Sequence, residues 1–185
     1  MKIDFNKLSI NVVHDFEIPP EQKETLRVLL HSCFPNYFID REYHKQIPKF
    51  RYLEWVEQNI IEHTGVESRV INIDGEIARI FGAIDLCVSE GYRSNNIATN
   101  LLRMLEDLGR KNGIELIILF ADDHRLYERH EYKRVNNICR WLAIDDENFR
   151  SFDIFERALS DCFMMKNLSS KPWKDGVVDL IGYLF

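Results

Sequence analysis

The segment from Asn95 to Lys111 constrains the fold more than any other part of the chain. Its apolar residues recur at helical spacing along one stripe, formed by Ile97, Leu101, Leu102, Leu105 and Leu108. Asn112-Gly113 is typical of a helix end. The almost uninterrupted apolar run that follows, Ile114 to Ala121, predicts a strand with both faces covered. With the strand that ends at Val88, these segments predict a βαβ unit.

Alternating, β-branched-rich runs fill the chain from Phe50 to Val88. Asp74-Gly75 separates two of these runs, and both residues tolerate the positive φ of a tight hairpin turn. The pattern therefore predicts three antiparallel strands in this region.

The remaining segments complete one predicted α/β domain over residues 1–185. Pro19-Pro20 begins a helix that ends near Phe34. After Ala121 we expect a short helix at Asp123–His130 and a strand at Tyr132–Ile144. The polar stretch DDENFRSFD is interpreted as a surface loop, and CFMMKNL and VVDLIGYLF as final strands. The expected architecture is a mixed, mainly antiparallel sheet of six or seven strands, with helices on both faces.

Charge and composition exclude several classes of function. The formal net charge is −6 without any basic block, which argues against nucleic-acid binding and favours a cationic partner. The longest uncharged apolar run is far shorter than the roughly 20 residues of a membrane helix, so no membrane association is expected. The four cysteines form no CxxC motif and indicate buried thiols in a reducing compartment. We therefore expect a cytoplasmic protein.

The loop between the strand end at Leu86–Val88 and the helix carries the strongest chemical signal. A loop of this kind directs free backbone N–H groups and the positive end of the helix dipole at one point, which suits a phosphate. Arg93 adds a charged donor. The GxxxxGK[ST] and GxGxxG phosphate loops are both absent. The alternative is a polar turn that caps the helix through Ser94 or Asn95.

The sequence Arg93-Ser94-Asn95-Asn96-Ile97-Ala98 resembles the pyrophosphate loop of GNAT superfamily N-acetyltransferases, Q/R-x-x-G-x-G/A. The resemblance continues through LLRMLEDLGRKNGIELIILFADDHRLYERHEY, so it covers about half the chain. FGAIDLCV, LFADD, WLAID and W-x-x-G-x-VDLIGYLF are similar to a bacterial branch near the aminoglycoside acetyltransferases. The resemblance implies a GNAT-like acyl-CoA N-acyltransferase fold and transfer from acetyl-CoA to a primary amine of a small, cationic molecule. The implied coenzyme-binding residues are Leu86, Cys87, Val88, Arg93, Ser94, Asn95, Asn96, Ile97 and Ala98.

Two positions depart from the family pattern. Asn96 occupies the fourth position of the loop, where the family has glycine, and asparagine tolerates positive φ better than most residues. Glu131 stands at a second glycine position, just before Tyr132. A left-handed conformation there would cost about 1 kcal/mol in a residue other than glycine.

The resemblance also implies a mechanism of direct attack by the amine on the thioester. A strand N–H among Leu86–Val88 would hold the oxyanion, and Tyr127 in RLYER would protonate the leaving thiolate. The alternative for Tyr127 is simple packing of its ring at a helix edge. Asp85 and Glu67 are candidates for the general base, because an unpaired acid on a central strand is costly. Asp85 could instead pair with Arg79 or Arg69, and a strand bulge would change which face it occupies.

Other readings of the sequence stay open beside this one. Cys87 is interpreted as a core thiol and not as a nucleophile, and the spacing of the six histidines predicts no metal site. A non-catalytic acyl-CoA-binding or interaction protein and a protein or peptide N-acyltransferase are the alternative functions. The apolar C-terminal strand either completes its own sheet or crosses to a partner in a homodimer.

Overall fold

The computed structural model of the chain describes residues 10–37, 40–145 and 147–185. They fall into two compact units. The first contains residues up to Val66 together with Ile84–Arg103, and the second contains Glu67–Ala83 and Met104–Phe185. Two long strands and one helix run from one unit into the other.

The first unit packs one helix on a small antiparallel sheet. β1 (Asn11–Val13) pairs with β2 (Phe50–Val56), which pairs with the beginning of β3 (Asn59–Ile73). The end of β4 (Glu76–Val88) and the start of α2 (Ile97–Lys111) also belong to this unit. Proline at the first position of α1 (Pro20–Cys33) fixes the helix start. The apolar stripe of α1 packs in a core of Ile18, Leu26, Leu29, Leu30, Leu53, Ile60 and Cys87.

The second unit contains a larger mixed sheet. Its further strands are β5 (Leu116–Phe120), β6 (Lys133–Arg134), β7 (Ile138–Ile144), β8 (Ser151–Ala158), β9 (Phe163–Asn167) and β10 (Val177–Tyr183). The strand order is β6-β9-β5-β4-β3-β10-β7-β8. β4 pairs in parallel with β5, as does β10 with β7. β10 also pairs with β3, so the C-terminal strand completes the sheet of its own chain.

Most of the predicted elements are confirmed, including the α/β class and the mixed sheet. Asp74 and Gly75 have φ of 47° and 88°, as the hairpin turn requires. The short helix, α3 (Arg125–Glu128), lies within the predicted range. Among the helices of the described residues, none is both long and apolar enough to cross a membrane.

The strand prediction was wrong in two places, and the described residues form ten strands where six or seven were expected. The single strand predicted over Tyr132–Ile144 is divided into β6 and β7. The predicted surface loop DDENFRSFD, of which Asp146 lies outside the described residues, ends inside β8. Every residue of β8 is exposed, so this strand lacks the alternation of buried and exposed residues that would have revealed it.

Candidate functional site

The loop that follows β4 is held in shape by its own polar groups. The Ser89 N–H donates to the carbonyl of Ile61 at 2.8 Å. Asn95 Nδ2 donates to the carbonyls of Tyr92 and Arg93 at 2.9 and 3.1 Å. The Asn95 amide therefore braces the loop through two donated bonds.

The last residues of the loop adopt the backbone geometry of an anion-binding turn. Ser94 and Asn96 have φ of 66° and 60°, and α2 begins at Ile97. The carbonyl of Asn96 accepts the first helical bond, from the Asn100 N–H at 3.0 Å. The N–H groups of the first helical turn have no acceptor within a helix, and they carry the positive end of its dipole. Asn96 thus has the left-handed conformation expected at the family's glycine position.

Arg93 connects the loop to the end of β4. Its Nε donates to the Val88 carbonyl at 3.0 Å, and the Cys33 thiol lies 3.9 Å from the same oxygen. Hydrogen bonding with Cys87, then with Ser32 and Arg93, lowers the pKa of Cys33 to about 6 against the opposing effect of burial. Cys87 is buried, as predicted for a core thiol, whereas Cys33 is partly exposed.

Asp85 interrupts β4 with a left-handed residue. Its φ is 52°, and the strand shows no alternation of buried and exposed residues from Ile80 to Val88. A left-handed residue within a strand changes the direction of its side chain, so alternation does not tell which face Asp85 occupies. Burial raises the pKa of Asp85 to about 6, and the nearby charge of Arg51 partly opposes this shift.

Arg51 is the centre of a buried charge network that the sequence did not predict. The guanidinium is fully buried and donates to Asp15 Oδ1 from Nε at 3.0 Å and from Nη2 at 2.8 Å. Its Nη1 lies 2.8 Å from His63 Nε2, which must accept because arginine only donates. His63 Nδ1 therefore carries the proton and donates to the Asp85 carbonyl at 2.9 Å. Burial and the charge of Arg51 lower the pKa of His63 to about 3, so the imidazole is neutral.

Two buried glutamates lie opposite each other on β2 and β3. Glu54 and Glu62 are 2% and 0% exposed, and they are direct partners in the strand register. Both carboxylate oxygens of Glu62 are buried without a hydrogen-bond partner. Burial, and then the neighbouring Glu54, raises the pKa of Glu62 to about 8. The available sequence signal for both residues was an acid with apolar neighbours, Leu53 and Trp55 beside Glu54 and Ile60 and Ile61 before Glu62.

Glu62→Gln should make the protein less sensitive to alkaline pH. The folded pKa of Glu62 lies above its ordinary value of 4.5, so the native state binds this proton more tightly than the unfolded state does. The resulting stability is complete at acid pH and is lost as the pH rises through 8. Urea unfolding between pH 5 and 9 should therefore show a smaller loss of unfolding free energy in the variant, by more than about 1 kcal/mol at pH 9.

The exposed Glu21 provides a matched control for this measurement. Glu21→Gln should leave the pH dependence of the wild type unchanged. Parallel pH profiles for the wild type and Glu62→Gln would contradict the assignment of a buried, protonated carboxyl.

Glu67 and Tyr127, the other predicted catalytic residues, belong to the second unit. Glu67 accepts the Tyr183 hydroxyl at 2.7 Å and faces Arg69 Nε at 3.4 Å, so both of its oxygens are engaged. Arg69 also donates to the Tyr183 carbonyl at 2.7 Å. These bonds give Glu67 the structural role of a paired acid.

Tyr127 lies on α3 and is positioned by the turn that follows the helix. Its carbonyl accepts the Tyr132 N–H at 3.1 Å, and the two rings meet edge to face at 5.8 Å between centroids. Glu131 adopts φ of 64°, so this turn too keeps the left-handed conformation without glycine. The first unit thus holds Asp85 and the loop, and the second holds Glu67 and Tyr127.

Comparison with known proteins identifies the family of this chain. The model of the acetyltransferase (GNAT) family matches residues 23–136, which are 114 of the 185 residues. No curated protein matches the sequence of this chain.

Solved structures share the fold at low sequence identity. The GNAT family N-acetyltransferase YhbS from Escherichia coli, in complex with CoA, has a TM-score of 0.60 at 17% identity, over 94% of this chain and 89% of that one. An aminoglycoside 6'-N-acetyltransferase complexed with coenzyme A has a TM-score of 0.60 at 16% identity, over 88% and 99%.

A conserved protein from Enterococcus faecalis has a TM-score of 0.59 at 11% identity over 70% of this chain, which spans only 33% of the length of that protein. At these identities the similarities show the fold alone, whereas the family model covers more than half of the chain. The chain belongs to the acetyltransferase (GNAT) family predicted from its sequence.

Proposed function

We propose that this protein transfers the acetyl group of acetyl-CoA to a primary amine of a small, cationic molecule. The observation that carries the proposal is the backbone of the loop after β4, where left-handed residues at Ser94 and Asn96 precede the start of α2. In this proposal, the N–H groups of this turn and of Ile97 and Ala98 bind the diphosphate of the coenzyme. The net charge of −6 supports a cationic acceptor.

Asp85 is the general base in this proposal. An amine arrives mainly protonated and must lose a proton before it attacks the thioester. A carboxylate with a pKa of about 6 is ionised at neutral pH, and it accepts a proton more readily than a carboxylate of ordinary pKa. Glu67 is a poorer candidate, because Tyr183 and Arg69 already engage its two oxygens.

Backbone and phenol groups complete the proposed reaction. When the amine attacks the thioester carbonyl, an N–H among Leu86, Cys87 and Val88 stabilises the oxyanion. When the C–S bond breaks, the Tyr127 hydroxyl gives its proton to the leaving thiolate. The left-handed backbone of Asp85 supports this arrangement, because it lies immediately before those three residues.

The case for a non-catalytic acyl-CoA-binding protein rested on the missing glycines at Asn96 and Glu131. Both residues adopt positive φ, at 60° and 64°, so the turns survive the substitutions. A protein or peptide N-acyltransferase would also transfer the acetyl group to an amine. A comparison of turnover on small amines and on peptide amines distinguishes the two functions.

Calorimetry with acetyl-CoA, followed by a thiol-release assay on a panel of amines, tests the proposed function. We expect saturable binding, and turnover with small polyamines or amino sugars that exceeds turnover with peptide amines. Binding without turnover on any amine would favour the non-catalytic alternative. No binding at all would contradict both functions.

Substitution of Asn96 tests the geometry of the loop. Asn96→Gly should change the Kd for acetyl-CoA by less than about threefold, because the backbone already has the left-handed conformation. Asn96→Val should weaken binding roughly tenfold, since a left-handed β-branched residue costs about 1–2 kcal/mol. Calorimetric Kd values for the two variants check both expectations. Binding that tightens strongly in Asn96→Gly would show that the asparagine side chain obstructs the coenzyme.

A further inference from the structure

β8 is an open, apolar sheet edge. It ends the strand order of the second unit and pairs, among the described strands, with β7 alone. All eight of its residues are exposed, and the side chains of Phe152, Ile154 and Phe155 are 60%, 53% and 39% exposed. A long apolar edge of this kind is a template for pairing with another strand.

The hydrogen bonds of β8 show which backbone groups face outward. The Ile154 N–H donates to Asp153 Oδ1 at 2.7 Å and is therefore directed away from β7. In an antiparallel ladder, alternate residues point their backbone groups to the same side. Ile154 and Glu156 thus present N–H and C=O groups to the open edge, whereas Phe155 and Arg157 bond to β7.

Symmetry restricts how β8 can pair with a second copy of itself. Two residues opposite each other in an antiparallel ladder must both direct their backbone groups inward or both outward. When a strand pairs with a second copy of itself, the sequence numbers of two facing residues therefore differ by an even number. The twofold axis then passes through a residue and not between two residues. The pairing of β8 with β7 shifts register beyond Asp153, so the regular part of the strand is Asp153–Ala158. For these six residues, the longest overlap places the axis at Phe155 or at Glu156.

Charge selects between these two registers. An axis at Phe155 places Asp153 opposite Arg157 twice, once on each side of the axis. An axis at Glu156 places that glutamate opposite its own copy and Arg157 opposite Phe155, so like charges meet. Opposite charges on directly facing strand residues are favourable and like charges are unfavourable.

We propose that β8 pairs antiparallel with β8 of a second copy of this chain, about a twofold axis at Phe155, so that the protein forms a homodimer. Asp153 then leaves the Ile154 N–H, which bonds to the partner's backbone, and its carboxylate pairs with the arginine across the interface. The Phe155 ring, which already packs edge to face on Trp141 at 5.8 Å, meets its symmetry copy. This surface is independent of the proposed acetyl transfer.

Charge reversal tests the register in the full-length protein. Sedimentation equilibrium should give twice the chain mass of 22.0 kDa for the wild type. Asp153→Lys and Arg157→Glu should each raise the dimer Kd at least tenfold, because each places like charges opposite each other. The double variant should return the Kd to within about threefold of the wild type. Residue 156 faces Ile154 in this register, so Glu156→Gln is the matched control and should leave the dimer Kd unchanged.

Disulfide trapping is a second test that does not depend on the charge variants. Residue 155 faces its own copy at about 4.5–5.5 Å, so Phe155→Cys should cross-link to a covalent dimer under mild oxidation. Residue 154 lies diagonally from its own copy at about 7–8 Å, so Ile154→Cys should cross-link far less than Phe155→Cys. The wild type measures the cross-linking that the native cysteines cause. A monomer at every concentration up to about 100 µM, or equal cross-linking of both variants, would overturn the proposal.

Discussion

Arg51→Met should lower the free energy of unfolding by about 3–5 kcal/mol, the largest stability effect expected in the chain. Asp15 is 7% exposed and accepts two bonds from the guanidinium, so the substitution leaves a buried carboxylate paired with Lys23 alone. It also removes the donor to His63. Urea unfolding at neutral pH, followed by circular dichroism, measures the loss.

Two further variants separate the loss of the buried pair from general disruption. Arg51→Met combined with Asp15→Asn removes both charges and should recover part of the stability, since no unpaired carboxylate remains. Arg125→Met breaks an exposed pair with Asp123 and should leave the unfolding midpoint unchanged. A loss in Arg51→Met no greater than that in Arg125→Met would contradict the described network.

Tyr127→Phe should lower kcat roughly 100- to 10,000-fold, which is the usual contribution of a general acid. The ring and its edge contact with Tyr132 are retained, so KM for acetyl-CoA should stay within about threefold of the wild type. Steady-state kinetics with the best amine of the panel measures both constants.

Tyr132→Phe is the matched control for this experiment. The Tyr132 hydroxyl is buried without a hydrogen-bond partner, so its removal should leave kcat and stability nearly unchanged. Equal kcat values for the wild type and Tyr127→Phe would exclude proton donation by Tyr127.

Local patterns predicted the elements that frame the loop. The stripe of α2 and the Asp74-Gly75 turn each depend on a few neighbouring residues, and both are present as expected. The left-handed conformation of Asn96 was likewise predictable, because asparagine tolerates it. The positions of the left-handed turn and of the start of α2 could therefore be predicted from the sequence.

Buried charge and exposed strands escaped prediction for physical reasons. Arg51 lies in β2, a mainly apolar strand that contains two charged residues. Its burial depends on Asp15, which is 36 residues away in sequence. Such pairing at a distance leaves no local pattern. β8 is exposed along its whole length, so no buried face imposes an alternation on its sequence. A bulge in β4 could be considered from the sequence, but the left-handed conformation of Asp85 could not be predicted from it.

The diphosphate contact is tested most directly by comparing two acetyl donors by calorimetry. S-acetylpantetheine carries the thioester and lacks the diphosphate of acetyl-CoA together with its adenosine 3'-phosphate. If the turn at Ser94–Asn96 and the start of α2 bind the diphosphate, acetyl-CoA should bind at least about 100-fold more tightly, because bonds to charged groups contribute about 1.5–3 kcal/mol each. Equal Kd values for the two donors would contradict the assignment of this loop as the coenzyme site.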